Sequence, residues 1–162
     1  MGAVPTFAFP TQSDFLWWQT GRPLAYLYQT TAQTAVPSST WTAVSLQTAL
    51  IDRDSGHVGT SGRYTHGLTL GWYEVSGLVA FSGTGGSTRS ARLVLNGSVV
   101  DGSLVNLPAA GPCTVPLLAA PVHSTSPGDY IELQCYHDAG SPIDLIVSGG
   151  ECSQMFVKFA GT

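Results

Sequence analysis

A chain of 162 residues, 43% apolar, only 10% charged and carrying a net charge of −4, is sized for one hydrophobic core and is too apolar and too weakly charged to stay disordered. The acidic balance comes with no Lys/Arg cluster, which removes the attraction on which nucleic-acid binding rests and excludes DNA and RNA as direct ligands. No apolar run approaches the ~18 residues of a membrane-spanning helix, and the N-terminus has neither the basic start nor the apolar stretch of a secretory signal, so a protein made in the cytoplasm, without membrane insertion, is expected.

Residues 1–38 stand apart. Phe7, Phe9, Phe15, Trp17, Trp18, Tyr26 and Tyr28 crowd among Pro5, Pro10, Pro23 and Pro37. Prolines at such intervals oppose a helix or a central strand, so an extended or irregular aromatic arm is expected. It either lies on the domain as an extra layer or inserts into another protein, since large aromatics carry much of the energy at interfaces.

Residues 39–162 read as short strands punctuated by turns, with no helical periodicity and no repeat. Early in this region Asp52, Asp54 and His57 form a loop cluster of two carboxylates and an imidazole, a set that can hold a divalent ion. It lacks the glycine spacing and closing Glu of a calcium loop, so an Asp-rich turn without metal is expected. The clearest strand is 72–81, with Tyr73, Val75, Gly77, Val79 and Phe81 facing one way and Glu74, Ser76 and Ala80 the other. The glycine-rich stretch 82–87 has no Lys-Ser/Thr or helix start and reads as a hairpin loop, not a phosphate cradle.

Next come a strand at 91–95, the tight-turn pair Asn96-Gly97 and a strand at 98–101. Turn chemistry at 126–128 and 139–142 introduces strands at 129–137 and 143–147, and Gly149-Gly150 precedes a last strand at 152–159. About eight to ten such strands suit a two-sheet sandwich, of which the jelly roll is one arrangement. Cys113, Cys135 and Cys152 are odd in number, far apart and without C-x-x-C spacing, so reduced thiols are expected.

Several motifs then fall into a familiar order: Trp41-Thr42-Ala43-Val44, Asp52-Arg53-Asp54 with His57, Gly71-Trp72-Tyr73-Glu74-Val75-Ser76-Gly77, Arg92-Leu93-Val94-Leu95-Asn96-Gly97 and Pro127-Gly128-Asp129-Tyr130-Ile131-Glu132-Leu133. From Trp41 to Thr162 the chain resembles the tumour necrosis factor-like jelly roll, in the branch shared by the globular head of complement and many small bacteriophage proteins. The resemblance implies a ten-stranded sandwich in a compact homotrimer with aromatics near the axis, where Tyr73, Tyr130 and Phe156 are the expected interface residues. The collagen stalk of the animal relatives is absent and the aromatic arm stands in its place.

Catalysis is not expected. His57, His66, His123 and His137 sit in loops or at strand ends, no Gly-x-Ser-x-Gly elbow occurs, and most carboxylates lie at turns. No cofactor is implied. The resulting expectation is a structural protein on a bacteriophage virion surface, a trimeric capsid decoration or head appendage. It would dock on the major capsid protein or another virion protein through Phe7, Phe9, Phe15, Trp17, Trp18, Tyr26 and Tyr28. The alternative is a tail module that recognises a host-surface glycan.

Overall fold

The computed structural model describes residues 22–162. Among these the chain is all-β with no α-helix: β1 (Leu24–Tyr28), β2 (Gln33–Val36), β3 (Thr42–Ala43), β4 (Thr48–Asp52), β5 (Arg63–Thr65), β6 (Gly71–Phe81), β7 (Thr88–Leu95), β8 (Ser98–Val99), β9 (Val105–Pro108), β10 (Cys113–Ser124), β11 (Tyr130–His137), β12 (Ile143–Leu145) and β13 (Gln154–Gly161). They form two antiparallel sheets. The seven-stranded sheet runs β2-β12-β6-β13-β1-β4, with β10 on the other edge of β6; the six-stranded sheet is built on β3-β11-β7-β8, with β5 on β11 and β9 on β7.

The core lies between the sheets. Tyr73, Val75, Val79 and Phe81 of β6 alternate inward and meet Ala91 and Leu93 of β7 and Ile131, Leu133 and Cys135 of β11. This is the period-two pattern read from 72–81. Ala80, expected outward, is nevertheless wholly buried, and beside it the Ile146 N–H donates to its carbonyl at 3.0 Å.

Two of the turn motifs have clear backbone reasons. Asn96 and Gly97 both adopt positive φ (51° and 82°), the pair that closes a two-residue hairpin with the twist of its strands. Gly71 has φ 134°, and a Cβ there would stand 2.4 Å from the Gly161 carbonyl oxygen. Only glycine lets the start of β6 pass so close to the end of β13.

The strands begin earlier than the expected boundary at residue 38. β1 is hydrogen-bonded to both β13 and β4, and β2 pairs with β12. Ala25 and Leu27 are wholly buried, so this part of the expected arm is integral to the sheet. Pro23 and Pro37 flank these two strands without entering them, which is why the proline spacing obscured them. The longest strand, β10, carries Pro116 and Pro121 and pairs with β6 alone within its sheet, so it tolerates residues that lack an N–H.

Candidate functional site

The outer face of the seven-stranded sheet is built by the residues that alternate with the core. On β1 these are Leu24, Tyr26 and Tyr28, on β13 Gln154, Phe156 and Lys158, and on β6 Trp72, Glu74, Ser76 and Leu78. Cross-strand register sets Tyr26 beside Phe156 and Phe156 beside Ser76, while Tyr28, Gln154 and Leu78 form the next row. Tyr26 and Tyr28 stack with ring centroids 5.9 Å apart, and the Tyr26 hydroxyl donates to Gln154 Oε1.

On β10 the register shifts between Leu117 and Ala120, and this irregularity thrusts Leu118 out to 83% exposure. At the far end Trp72 is 46% exposed and stacks on His123 at 4.4 Å and 16°. Glu74 and Lys158 are the only Asp, Glu, Lys or Arg residues of β1, β6, β10 and β13, and they pair with each other at 3.7 Å. The face is therefore broad, aromatic and nearly free of unpaired charge.

The residues expected to share a three-fold axis do not lie together. Phe156 is on this outer face. Tyr73 is wholly buried inside its own chain, its ring edge-on to His66 (4.1 Å) and Phe159 (5.3 Å), and its hydroxyl donates to the Thr69 carbonyl at 2.6 Å. An inward position of β6 has no surface to offer a partner. Tyr130 lies on the opposite side of the sandwich, on the outer face of the six-stranded sheet, under the Arg63 guanidinium at 4.3 Å.

That second outer face is a polar ladder. Arg63 donates to Glu132 at 2.7 Å, Gln134 Nε2 donates to Glu132 at 2.9 Å, and Arg92 donates twice to Gln134 Oε1 (2.9 and 2.8 Å). The Arg92 guanidinium also covers Trp41 at 4.0 Å, and Trp41 packs on Tyr136 at 5.3 Å. The cross-strand neighbours of β11 create this array, and no local sequence signal announces it.

Of the expected docking aromatics, Tyr26 and Tyr28 are the half-buried pair on β1, whereas Phe7, Phe9, Phe15, Trp17 and Trp18 lie outside the described residues. The Asp52, Asp54 and His57 cluster is committed to its own loop. Asp52 accepts from the backbone N–H groups of Gly56 (3.0 Å) and His57 (2.9 Å), and Asp54 accepts from the Tyr64 hydroxyl at 2.5 and 2.6 Å. His57 Nε2 donates to the Leu46 carbonyl at 2.7 Å. Burial raises the Asp54 carboxyl despite that bond, and burial together with the Asp54 carboxylate raises the Tyr64 phenol. Among the described residues no group of three or more His, Cys, Asp or Glu is placed to hold a metal ion.

His137 donates through Nε2 to the Val36 carbonyl at 2.9 Å and accepts the Ala139 N–H at Nδ1. His66 is sealed between Tyr64 and Tyr73 with neither ring nitrogen partnered, and desolvation lowers it to about 4. All three cysteines are free thiols, and burial pushes Cys135 up to about 12.

No protein-family profile matches the sequence, and no curated protein matches it either. Solved structures do share its fold. The globular domain of zebrafish complement 1qA superposes with a TM-score of 0.55 at 13% identity, over 85% of this chain and 96% of that one. Crystal structures of murine APRIL at pH 8.5 and pH 8.0 give TM-scores of 0.59 and 0.57 at 17% and 18% identity, each over 85% of this chain and 99% of the other. The chain folds as a tumour necrosis factor-like jelly roll.

Proposed function

We propose that this protein is a non-enzymatic, trimeric binding module whose subunits pack through the outer face of the seven-stranded sheet. In this reading it serves as a structural virion protein of a bacteriophage, a capsid decoration or head appendage attached through its aromatic N-terminal segment. The observation that carries the trimer is the face itself: Tyr26, Leu78, Leu118, Phe156 and Trp72 on adjoining strands, with the only charges mutually paired. A face of this composition gains by burial against a copy of itself, and closed symmetry stops the assembly from growing without limit. Binding in place of catalysis is favoured because His57, His66, His137 and the loop carboxylates bond to nearby backbone and side chains or lie sealed in the core, leaving no convergent acid–base pair among the described residues.

The virion placement rests on Phe7, Phe9, Phe15, Trp17 and Trp18, a density of large aromatics suited to burial in another protein. The alternative, a tail module that reads a host glycan, draws on the Trp41, Tyr136 and Arg92 array, since aromatic faces beside hydrogen-bonding groups suit sugars.

Light scattering on the full chain tests the trimer. The expected mass is three times 16.9 kDa, and Phe156→Asp or Leu118→Asp is expected to return it to the single-chain value with the β-sheet circular dichroism intact. A single-chain mass for the parent protein at micromolar concentration, with no three-fold contact on any particle, overturns the reading.

A further inference from the structure

Asn96 and Asn106 are the only asparagines of the chain, and of the two only Asn96 is followed by glycine. With no side chain on the next residue to block the approach, the Gly97 backbone nitrogen can attack the Asn96 carboxamide, whereas Leu107 crowds the same path after Asn106. Asn96, Gly97, Ser98 and Val99 are all exposed, so water reaches the reacting atoms. The Gly97 nitrogen gives its proton to solvent and bonds to Cγ of Asn96, the Cγ–Nδ2 bond breaks, and Nδ2 leaves as ammonia. Water then opens the cyclic imide at either carbonyl, which leaves an aspartate or an isoaspartate. The net change is amide and water to acid and ammonia, with nothing oxidised or reduced.

The fold opposes this reaction. The Asn96 backbone N–H donates to the Tyr130 carbonyl at 3.0 Å, Oδ1 accepts the Tyr130 N–H at 2.9 Å, and Nδ2 donates to Asp129 Oδ1 at 2.8 Å. A backbone N–H can only donate and a carboxylate can only accept, so the carboxamide has one orientation here. Asp129 is held in turn by the N–H groups of Thr125 and Ser126. The backbone is fixed as well, at positive φ in both turn residues and between the paired positions Val94–Val99 and Leu95–Ser98. A carboxamide tied to the 129–130 turn is not free to swing onto the Gly97 nitrogen.

The product cannot resume the contact. An oxygen in place of Nδ2 would set a second carboxylate against Asp129 Oδ1, where a donor stood, and two like charges at that separation repel. Isoaspartate would also lengthen the main chain of a two-residue turn that sets the register between β7 and β8.

We propose that Asn96 is a self-deamidating modification site that the Asp129–Tyr130 clamp keeps unreactive in the folded chain. Once the clamp opens, the reaction permanently prevents it from closing again.

Peptide mapping by mass spectrometry tests this on the full chain, sampled over time in mildly alkaline buffer, with Asn106 as the internal reference. In the urea-unfolded chain Asn96 is expected to convert far faster than Asn106, and folding is expected to slow Asn96 by at least about tenfold, since reaction must wait for local opening. Asp129→Ala, folded by circular dichroism, is expected to regain several-fold of that rate. Val157→Ala, a wholly buried core position on the other sheet, loses stability with the clamp intact and is expected to convert as slowly as the parent. Asn96→Asp, which makes the product directly, is expected to melt below the parent. A folded parent that converts as fast as the unfolded chain overturns the proposal, as does a folded Asp129→Ala no faster than Val157→Ala, or an Asn96→Asp protein that melts with the parent. If Asp129→Ala does not fold, the folded-against-unfolded comparison and Asn96→Asp decide.

Discussion

The side chains of Asn96 and Asp129 join two turns that lie 33 residues apart in sequence: Asn96 Nδ2 donates to Asp129 Oδ1 at 2.8 Å, and Asn96 Oδ1 accepts the Tyr130 N–H at 2.9 Å. The other carboxylate oxygen, Oδ2, accepts the N–H groups of Thr125 and Ser126, each at 2.9 Å. Asn96's side chain, followed by these backbone donors, holds the Asp129 carboxyl below its ordinary range. Asp129→Ala leaves several donors without an acceptor and is expected to lower stability by about 2–3 kcal/mol, read as a lower urea midpoint at unchanged slope. Combined with Asn96→Ala it should prove non-additive, with a coupling of about 1 kcal/mol in a double-mutant cycle.

That linkage explains why the sequence resemblance was informative. Its most specific motifs were the glycine before Trp72, Asn96-Gly97 and Gly128-Asp129-Tyr130, and each is a place where backbone geometry restricts the residue. Strand existence followed from alternation at 72–81 because one face of β6 is core. Strands β1, β2 and β10 were harder to read, since prolines beside or within them imitate loop composition. The candidate surfaces were less legible still. Tyr73, Tyr130 and Phe156 all sit on strands, yet which face each side chain takes depends on sheet placement, and they fall in three different layers. The Arg92 ladder arises from residues far apart in sequence, which single-chain motifs do not signal.

His66 gives the stability a pH dependence of fixed sign. Buried without partners, its ring is lowered from 6.5 to about 4 in the folded chain, first by desolvation and against a weaker opposing pull from Asp129. Above pH 6.5 it is neutral in both states. As pH falls from 6.5 toward 4, the unfolded chain binds a proton that the folded chain refuses, so stability declines through this window and its contribution levels off below pH 4. The full loss amounts to about 3 kcal/mol. Chemical denaturation at half-unit pH steps should show this slope in the parent and a flatter one in His66→Phe.

Asp138 organises the glycine-rich loop before β7. Its carboxylate accepts from Ser87 N, Thr88 N (both 2.8 Å) and Ser87 Oγ (2.9 Å), and the two backbone donors hold its carboxyl down at about 2. It also lies 4.0 Å from Arg89, the largest wholly buried side chain, which donates to the carbonyls of Thr88 and Gly85. Asp138→Ala therefore removes the acceptor that closes this loop and the carboxylate nearest a buried cation. Hydrogen exchange is expected to accelerate at Ser87 and Thr88, and the melting temperature to fall, while exchange in β13 stays near that of the parent.

Two truncations separate the aromatic segment from the strands that follow it. Deleting residues 1–38 removes β1 from between β13 and β4, exposing both edges, and takes away Ala25, Leu27 and Val36 from the core. Loss of one buried leucine already removes about 2–5 kcal/mol, and a domain of this size has only about 5–15 kcal/mol in reserve. This variant is expected to aggregate. Deleting residues 1–21 leaves every described strand in place, so a soluble protein with the parent's circular dichroism and a melting temperature within a few degrees is expected. The five aromatics it lacks, Phe7, Phe9, Phe15, Trp17 and Trp18, would each contribute about 1.5–3 kcal/mol if fully buried in a partner. Under the proposed virion attachment, co-sedimentation with virions is therefore lost by the shorter deletion without loss of the fold. If the 22–162 protein still co-sediments at full occupancy, the attachment surface belongs to the jelly roll, and the outer face of the six-stranded sheet around Trp41 and Arg92 becomes the place to mutate next.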